Sequence, residues 1–224
     1  KNQDKLWLYN LHYFDDLNAI NSEQRVVWHS NLIQKWIEDN PVGFGNGWEP
    51  YPSSLRIVNW IKWFLLDLNS HNNVKQMWLD SLVIQTRFLS QNLEYHLLGN
   101  HLFANAKALV FAGLFFKGKE ADHWYQLGVS IVNKELSEQV LSDGGNFELS
   151  PMYHAIFLED LLDLVNIYQA FDRSLPDNLE NKIVQMLEWL KVMSHPDGGI
   201  AFFNDSALGV APSFIELLSY ADGL

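Results

Sequence analysis

A chain of 224 residues that is 48% hydrophobic has the length of one domain and enough apolar side chain for a sizeable core. Its 27 acidic against 15 basic residues leave a net charge of −12, which argues against a nucleic-acid partner and sets a mean field that repels polyanions unless a local basic pocket overrides it. Cysteine is absent, so disulfides and thiol catalysis are excluded, and no apolar run approaches a membrane span. Lys1 rather than Met opens the sequence and no signal-peptide pattern follows, so a piece of a longer protein is expected. Nine Trp, eight Tyr and fourteen Phe exceed the needs of such a core. The rings either fill space between helices or stack on sugars in a carbohydrate cleft.

In chain order, residues 1–18 mix aromatic and polar groups and read as an irregular lead-in. Ser22–Glu38 has helical apolar spacing at Val26, Val27, Leu32, Trp36 and Ile37. Ser53 and Ser54 are placed to cap a helix over Leu55–Leu68, and Asn73–Asn92 reads as the next one. Leu102–Phe116 is apolar almost all round, as a helix buried on most sides must be. Glu120–Leu136 is amphipathic. Ala155–Phe171 and Leu179–Met193 pair across a turn-rich stretch containing Pro176, and Pro212–Ala221 begins a last helix. No strand ladder is expected. About eight helices in four hairpins, alternating more and less apolar, predict an all-α fold: an incomplete (α/α) toroid of helical hairpins over residues 1–224.

Four glycine- and aromatic-rich loops separate these elements: Gly43–Ser54, Glu94–His101, Ser142–His154 and His195–Ser206. Their spacing of about 50 residues is that of two helices and their connections, which brings the loops to one end of a helical array. Asn100 and His101 follow Gly99 and open the most apolar helix. Asn100 reads either as an N-cap or, with His101, as an anion pocket at the positive helix end. Asn105 lies on the same face as His101 and is placed to orient it. In the third loop Asp143-Gly144-Gly145 signals a turn, and Ser150-Pro151 reads as an N-cap with proline at the first helical position. Glu148, Tyr153 and His154 cluster there. Tyr153 is a candidate acid or base if neighbouring positive groups lower its pKa from about 10. The first loop offers Trp48, Glu49, Tyr51 and Arg56. Arg56 is read as a carboxylate clamp or as a salt-bridge partner of Glu49. The fourth loop offers Asp197, Asn204 and Asp205, with Asp205 a helix cap or a sugar ligand. His12, His29, His71 and His123 are scattered without metal-ligating spacing, so neither a metal nor another cofactor is expected.

Trp7–Asn18, Trp48–Trp60, Leu97–Phe116 and Asp143–His154 together resemble the heparinase II/III family of polysaccharide lyases, along nearly the whole chain and in order. The Gly-Asn-His and Asp-Gly-Gly…Glu…Ser…Tyr-His segments carry most of that resemblance. It implies an incomplete α/α toroid followed by a C-terminal β-sandwich that this chain lacks. It implies that Asn100 neutralises a substrate carboxylate, with His101 beside it, and that Tyr153 is the catalytic tyrosine. A further His or Tyr would come from the β-sandwich. The resemblance implies a bacterial lyase that cuts an acidic, uronic-acid-containing polysaccharide or oligosaccharide by β-elimination, in the periplasm or outside the cell. Trp48, Glu49, Arg56, Glu148, His154 and Asp205 are then the expected substrate contacts. Two other functions fit the same residues. One is a glycan-binding or surface-polysaccharide assembly relative without lyase activity. The other is an α/α-toroid glycoside hydrolase using Glu49, Glu148 and Asp205.

Overall fold

The computed structural model describes residues 3–70, 74–97 and 99–224, with the side chains of 67–70 left aside. His71 and the first residue of the expected helix at Asn73 lie outside the described residues, as do Lys1 and Leu98. The chain forms two compact units, Lys1–Leu97 with Ala104–Gly128, and Leu98–Phe103 with Val129–Leu224. Every regular element among the described residues is helical, and none of these helices is long and apolar enough to cross a membrane.

The first unit opens with a helix where an irregular lead-in was expected: α1 spans Lys5–Asn10. The signal is Asp4, whose carboxylate accepts the Leu6 N–H at 2.9 Å and so caps the turn. Short 3₁₀ turns at Asp15–Asn18 and Ser22–Arg25 lead into α2 (Val26–Asp39). The next helix, α3, runs over Pro50–Ser70 and starts earlier than expected. Proline fits a helix start because its missing N–H is not needed there. Ser53 and Ser54 therefore lie inside the helix rather than capping it. Ser54 Oγ donates back to the Pro50 carbonyl at 2.8 Å, and Ser53 Oγ to the Gly47 carbonyl at 3.2 Å. Helix α4 (Gln76–Gln91) packs on α2 and α3.

The core of this unit is aromatic. Trp36, Trp48, Trp60, Trp63 and Trp78 are all buried. Trp36 meets Trp60 edge-on at 5.7 Å, and Trp48 meets Phe88 edge-on at 5.4 Å. Such contacts add to the burial of each ring. Much of the aromatic content of this unit is therefore packing, although Trp7, Trp28, Phe44 and Tyr95 stay exposed. Helices α5 (Asn100–Phe115) and α6 (Lys119–Gln139) begin and end in different units, and the first turn of α5 belongs to the second.

The second unit is built on α7 (Pro151–Ala170), which packs against α8 (Leu179–Val192) and α9 (Phe214–Asp222). As the sequence predicts, Ser150 caps α7 by accepting the Tyr153 N–H at 3.3 Å, with Pro151 next. Helix α9 starts with a capping box in which Ser213 and Glu216 exchange side-chain-to-backbone bonds, two residues after the expected Pro212. The third and fourth loops contain the same turn twice. Gly145 N–H donates to Asp143 Oδ1 and Gly199 N–H to Asp197 Oδ1, each at 3.0 Å. Isolated bridges Val140–Asn146 and Ser194–Ile200 close the two turns. Both middle glycines are left-handed, Gly144 at φ 87° and Gly198 at φ 89°. Their surroundings differ: a Cβ on Gly144 would stand 2.4 Å from the Gln185 carbonyl oxygen, whereas one on Gly198 meets open space. Gly144→Ala is expected to destabilise the protein by about 2–4 kcal/mol, and Gly198→Ala by only about 1. Urea unfolding of the two variants side by side checks this, and equal losses would contradict it.

Candidate active site

Five of the expected site residues come together in the second unit, at the start of α5 and in the third and fourth loops. Gly99 takes a left-handed conformation (φ 89°) and Asn100 is the first residue of α5, so Asn100 starts the helix rather than capping it. The Gly99 carbonyl accepts from Gln139 Nε2 at 3.0 Å, and the same nitrogen donates to Glu135 Oε2 at 2.7 Å. That clamp fixes the direction of the helix start. Glu148 lies against it. A Cβ on Gly99 would be 2.7 Å from Glu148 Oε1, and the carboxylate accepts the Asn100 backbone N–H. The unpaired N–H groups and dipole of a helix start favour a carboxylate at this position.

Burial nevertheless pushes the Glu148 carboxyl above its ordinary range, and the Asp205 charge adds to the rise. The Asn100 N–H and the charge of His101 oppose it. Local backbone holds Glu148 in place: its N–H donates to Asn146 Oδ1 at 3.0 Å, and Leu149 adopts a left-handed φ of 55°. The latter is a strained conformation for a branched residue, costing about 1–3 kcal/mol.

Tyr153 sits in the first turn of α7, and its hydroxyl lies 3.5 Å from Asp205 Oδ2. Burial raises the phenol above its ordinary pKa, and Asp205 and Glu148 raise it further. The condition set from the sequence, a phenol lowered by positive neighbours, is not met: its charged neighbours are carboxylates, and they hold the proton on. Asp205 is exposed and caps no helix. It is presented by a loop tied to the third one. Asn204 Nδ2 donates to the Leu149 carbonyl at 2.8 Å, and the Ser150 and Ser206 hydroxyls meet at 2.9 Å.

His154 is not available to a ligand. It is fully buried and stacks on Trp189 at 4.4 Å. Its Nδ1 accepts the Asn146 N–H at 3.2 Å and its Nε2 lies 2.9 Å from the Met186 carbonyl, which requires the neutral ring with hydrogen on Nε2. It pins the third loop to α8 rather than contacting substrate. Burial lowers its pKa from 6.5 to about 4. As pH falls, the unfolded chain takes up this proton before the folded one does. The stabilisation is complete above about pH 6.5 and is lost toward pH 4, a change of about 3 kcal/mol. Urea midpoints should fall over that window, and His154→Leu should remove that part of the slope. An unchanged slope in the variant would contradict it.

Trp48, Glu49 and Arg56 belong to the first unit. Trp48 is buried, with Nε1 donating to the Asn40 carbonyl at 3.2 Å, so it presents no face for a sugar. Arg56 is fully buried and does not reach Glu49. Its guanidinium donates to Gln85 Oε1 at 2.8 Å, Ser53 Oγ at 3.2 Å and the His12 carbonyl at 3.4 Å, and lies 3.8 Å from the Trp36 ring centre. Neither the clamp nor the salt bridge is realised. Glu49 instead accepts from the Tyr9 hydroxyl and pairs with Lys5 at 2.9 Å. Asn105 does not orient His101 either. Its amide serves Ser54 Oγ at 3.0 Å, Glu94 Oε2 at 3.1 Å and the Glu94 N–H at 2.9 Å. The Glu135–Gln139 pair behind Gly99 was not anticipated. Its only sequence trace is a spacing of four on an amphipathic helix, which any surface pair shares.

The Heparinase II/III N-terminus family profile matches residues 19–219. A heparin-sulfate lyase of Pedobacter heparinus is 31% identical, over 76% of this chain and 27% of the relative. One of Bacteroides stercoris is 32% identical, over 72% of this chain and 25% of the relative. The chain thus spans about a quarter of the length of these relatives. Among solved structures, heparinase III matches 95% of this chain and 34% of its own at a TM-score of 0.72 and 23% identity. Heparan sulfate lyase HepC from Pedobacter heparinus matches 89% and 34% at 0.61 and 26% identity. These likenesses bear out the all-α, (α/α)-toroid class expected from the sequence. With the family profile covering most of its residues, the chain belongs to the heparinase II/III family and corresponds to its N-terminal region.

Proposed function

We propose that the chain is the helical N-terminal part of a bacterial polysaccharide lyase that cleaves uronic-acid-containing glycans by β-elimination. The observation that carries this reading is the Glu148 carboxylate on the Asn100 N–H, in one loop cluster with His101 and Tyr153. A uronate carboxylate asks for the same environment. When C5 loses its proton, negative charge builds on that carboxylate, and donors already aimed at it lower the barrier. The uronate carboxylate would displace Glu148 from the α5 start, and Asn100 adds its side-chain amide there. Either His101 or a group from the C-terminal β-sandwich takes the C5 proton. The C4–O4 bond then breaks, Tyr153 gives its proton to O4, and a C4–C5 double bond is left without water entering. A phenol whose pKa is raised by burial and by two carboxylates suits the donor role better than that of base.

The acidic glycan, the β-sandwich partner and a periplasmic or secreted location belong to the same proposal. Family membership supports them, together with the quarter of the relatives' length that this chain spans. A hydrolase reading rests on one observation, the raised Glu148 carboxyl beside Asp205. Glu49 takes no part in it, being held by Lys5 and Tyr9. Incubating the full-length protein with a panel of uronic-acid polysaccharides and following ultraviolet absorbance of the unsaturated product separates the readings. Rising absorbance supports the lyase. New reducing ends without absorbance support the hydrolase, and no cleavage supports a binding or assembly role.

A further inference from the structure

Arg56 is a fully buried cation whose hydrogen-bond partners are all neutral: Gln85, Ser53 and the His12 carbonyl. No carboxylate pairs with it among the described residues. Buried charges are ordinarily paired, so this one leaves a positive field in the first unit with nothing local to cancel it. The residue whose carbonyl it holds, His12, carries a ring with one nitrogen in use and one open.

The contrast with His154 is informative. That ring spends both nitrogens inside the fold, on the Asn146 N–H and the Met186 carbonyl. In His12 only Nδ1 is spent: it accepts the Trp36 indole N–H at 3.0 Å. A ring nitrogen that accepts carries no hydrogen, so the imidazole is neutral with its hydrogen on Nε2. The guanidinium nearby disfavours a second positive charge on it. Gly47 fixes the ring in place. A Cβ there would stand 2.8 Å from Nδ1 and 3.0 Å from Cε1, so a larger residue would push the ring off the indole. Nε2 bonds to no described residue, and in this half-buried side chain it is not sealed in the interior.

The first unit thus holds an imidazole in one tautomer, gripped on its Nδ1 side, with its one N–H turned to a ligand-accessible edge. A donor fixed in this way beside an uncompensated cation suits an oxygen that is itself negative.

Building on the proposed function for the identity of the ligand, we infer that His12 is a carboxylate-binding residue of the first unit, its Nε2–H donating to a uronate of the glycan while Trp36 and Gly47 hold the ring and Arg56 supplies the positive field. Arg56, expected from the sequence to grip a carboxylate itself, acts through its charge from behind.

The test separates the two ring nitrogens. His12→Asn keeps an acceptor where Nδ1 meets Trp36 and removes the outward donor, whereas His12→Gln keeps a donor near the Nε2 position and removes the acceptor. Each is placed in full-length protein carrying Tyr153→Phe, so that binding is measured without turnover. Calorimetry then follows tetrasaccharides of glucuronate, galacturonate, mannuronate and guluronate, and their carboxyl-reduced forms. His12→Asn is expected to weaken the best-bound uronate about tenfold or more, the carboxyl-reduced form less, at an unchanged urea midpoint. His12→Gln should bind within about threefold of the parent yet unfold at lower urea, because the Trp36 indole loses its acceptor. With Tyr153 restored, His12→Asn should raise KM and leave kcat alone, as loss of uniform binding does. Unchanged affinity in His12→Asn, or an equal loss with the carboxyl-reduced form, overturns the inference and leaves the lyase standing. Affinity lost in His12→Asn, in a protein that eliminates no uronic-acid polymer, supports His12 and sinks the elimination alone. No binding of any uronate tetrasaccharide overturns both.

Discussion

Tyr153→Phe is expected to lower kcat on the cleaved glycan by about 10²–10⁴-fold, the range for losing a positioned proton donor. The fold should be untouched. The hydroxyl makes only a long contact to Asp205, at 3.5 Å, whereas the backbone N–H of the same residue is what Ser150 caps. Circular dichroism and the urea midpoint should therefore match the parent while turnover collapses. The neighbouring carboxylates add a second signature. Burial and, after it, Asp205 and Glu148 raise the phenol, so it stays protonated through neutral pH and activity should not require its ionisation. Asp205→Asn removes one of those charges and should move the alkaline limb of the pH profile downward. A Tyr153→Phe protein that keeps its kcat would remove this residue from the chemistry.

Arg56→Ala is expected to destabilise the protein by about 3–5 kcal/mol. The side chain is fully buried, and burial drives its pKa well below the ordinary value. Its partners are neutral: Gln85, Ser53, the His12 carbonyl and the face of Trp36. Truncation leaves Gln85 Oε1 without its donor and opens a void under the indole. Arg56→Met, which refills that volume, should recover part of the loss. Urea unfolding measures both variants. A clamp on the substrate carboxylate predicts something else: near-normal stability with a raised KM. That result would return Arg56 to the binding site.

The third loop was the most legible part of the candidate site, because its chemistry is local. Ser150-Pro151 dictates where α7 starts, and that alone places Tyr153 in the first turn. Asp143-Gly144-Gly145 dictates its own turn, repeated at Asp197-Gly198-Gly199. The apolar run after Asn100 likewise announced a buried helix. What failed was assignment of single side chains whose fate depends on distant partners. Arg56 answers to Gln85, and His154 to Met186 and Trp189. Nothing within a few residues of either distinguishes a ligand from a strut. Trp48 failed for the same reason: burial among Trp36 and Phe88 is a tertiary fact. The lead-in failed differently. Asp4 was an ordinary cap before an apolar stretch, and the aromatic content of Lys5–Asn10 masked it.

The entry of solvent oxygen at the cleaved bond tests the proposed elimination at a uronate most directly. The full-length protein would cleave its best uronic-acid polymer in water enriched in heavy oxygen, with the fragments weighed by mass spectrometry. Elimination gives fragments lighter by one water than hydrolysis products, with no heavy oxygen fixed at the cleaved bond. Fragments that gain a full water with heavy oxygen at the new end would contradict it, and would make Glu148 and Asp205 the working pair of a hydrolase.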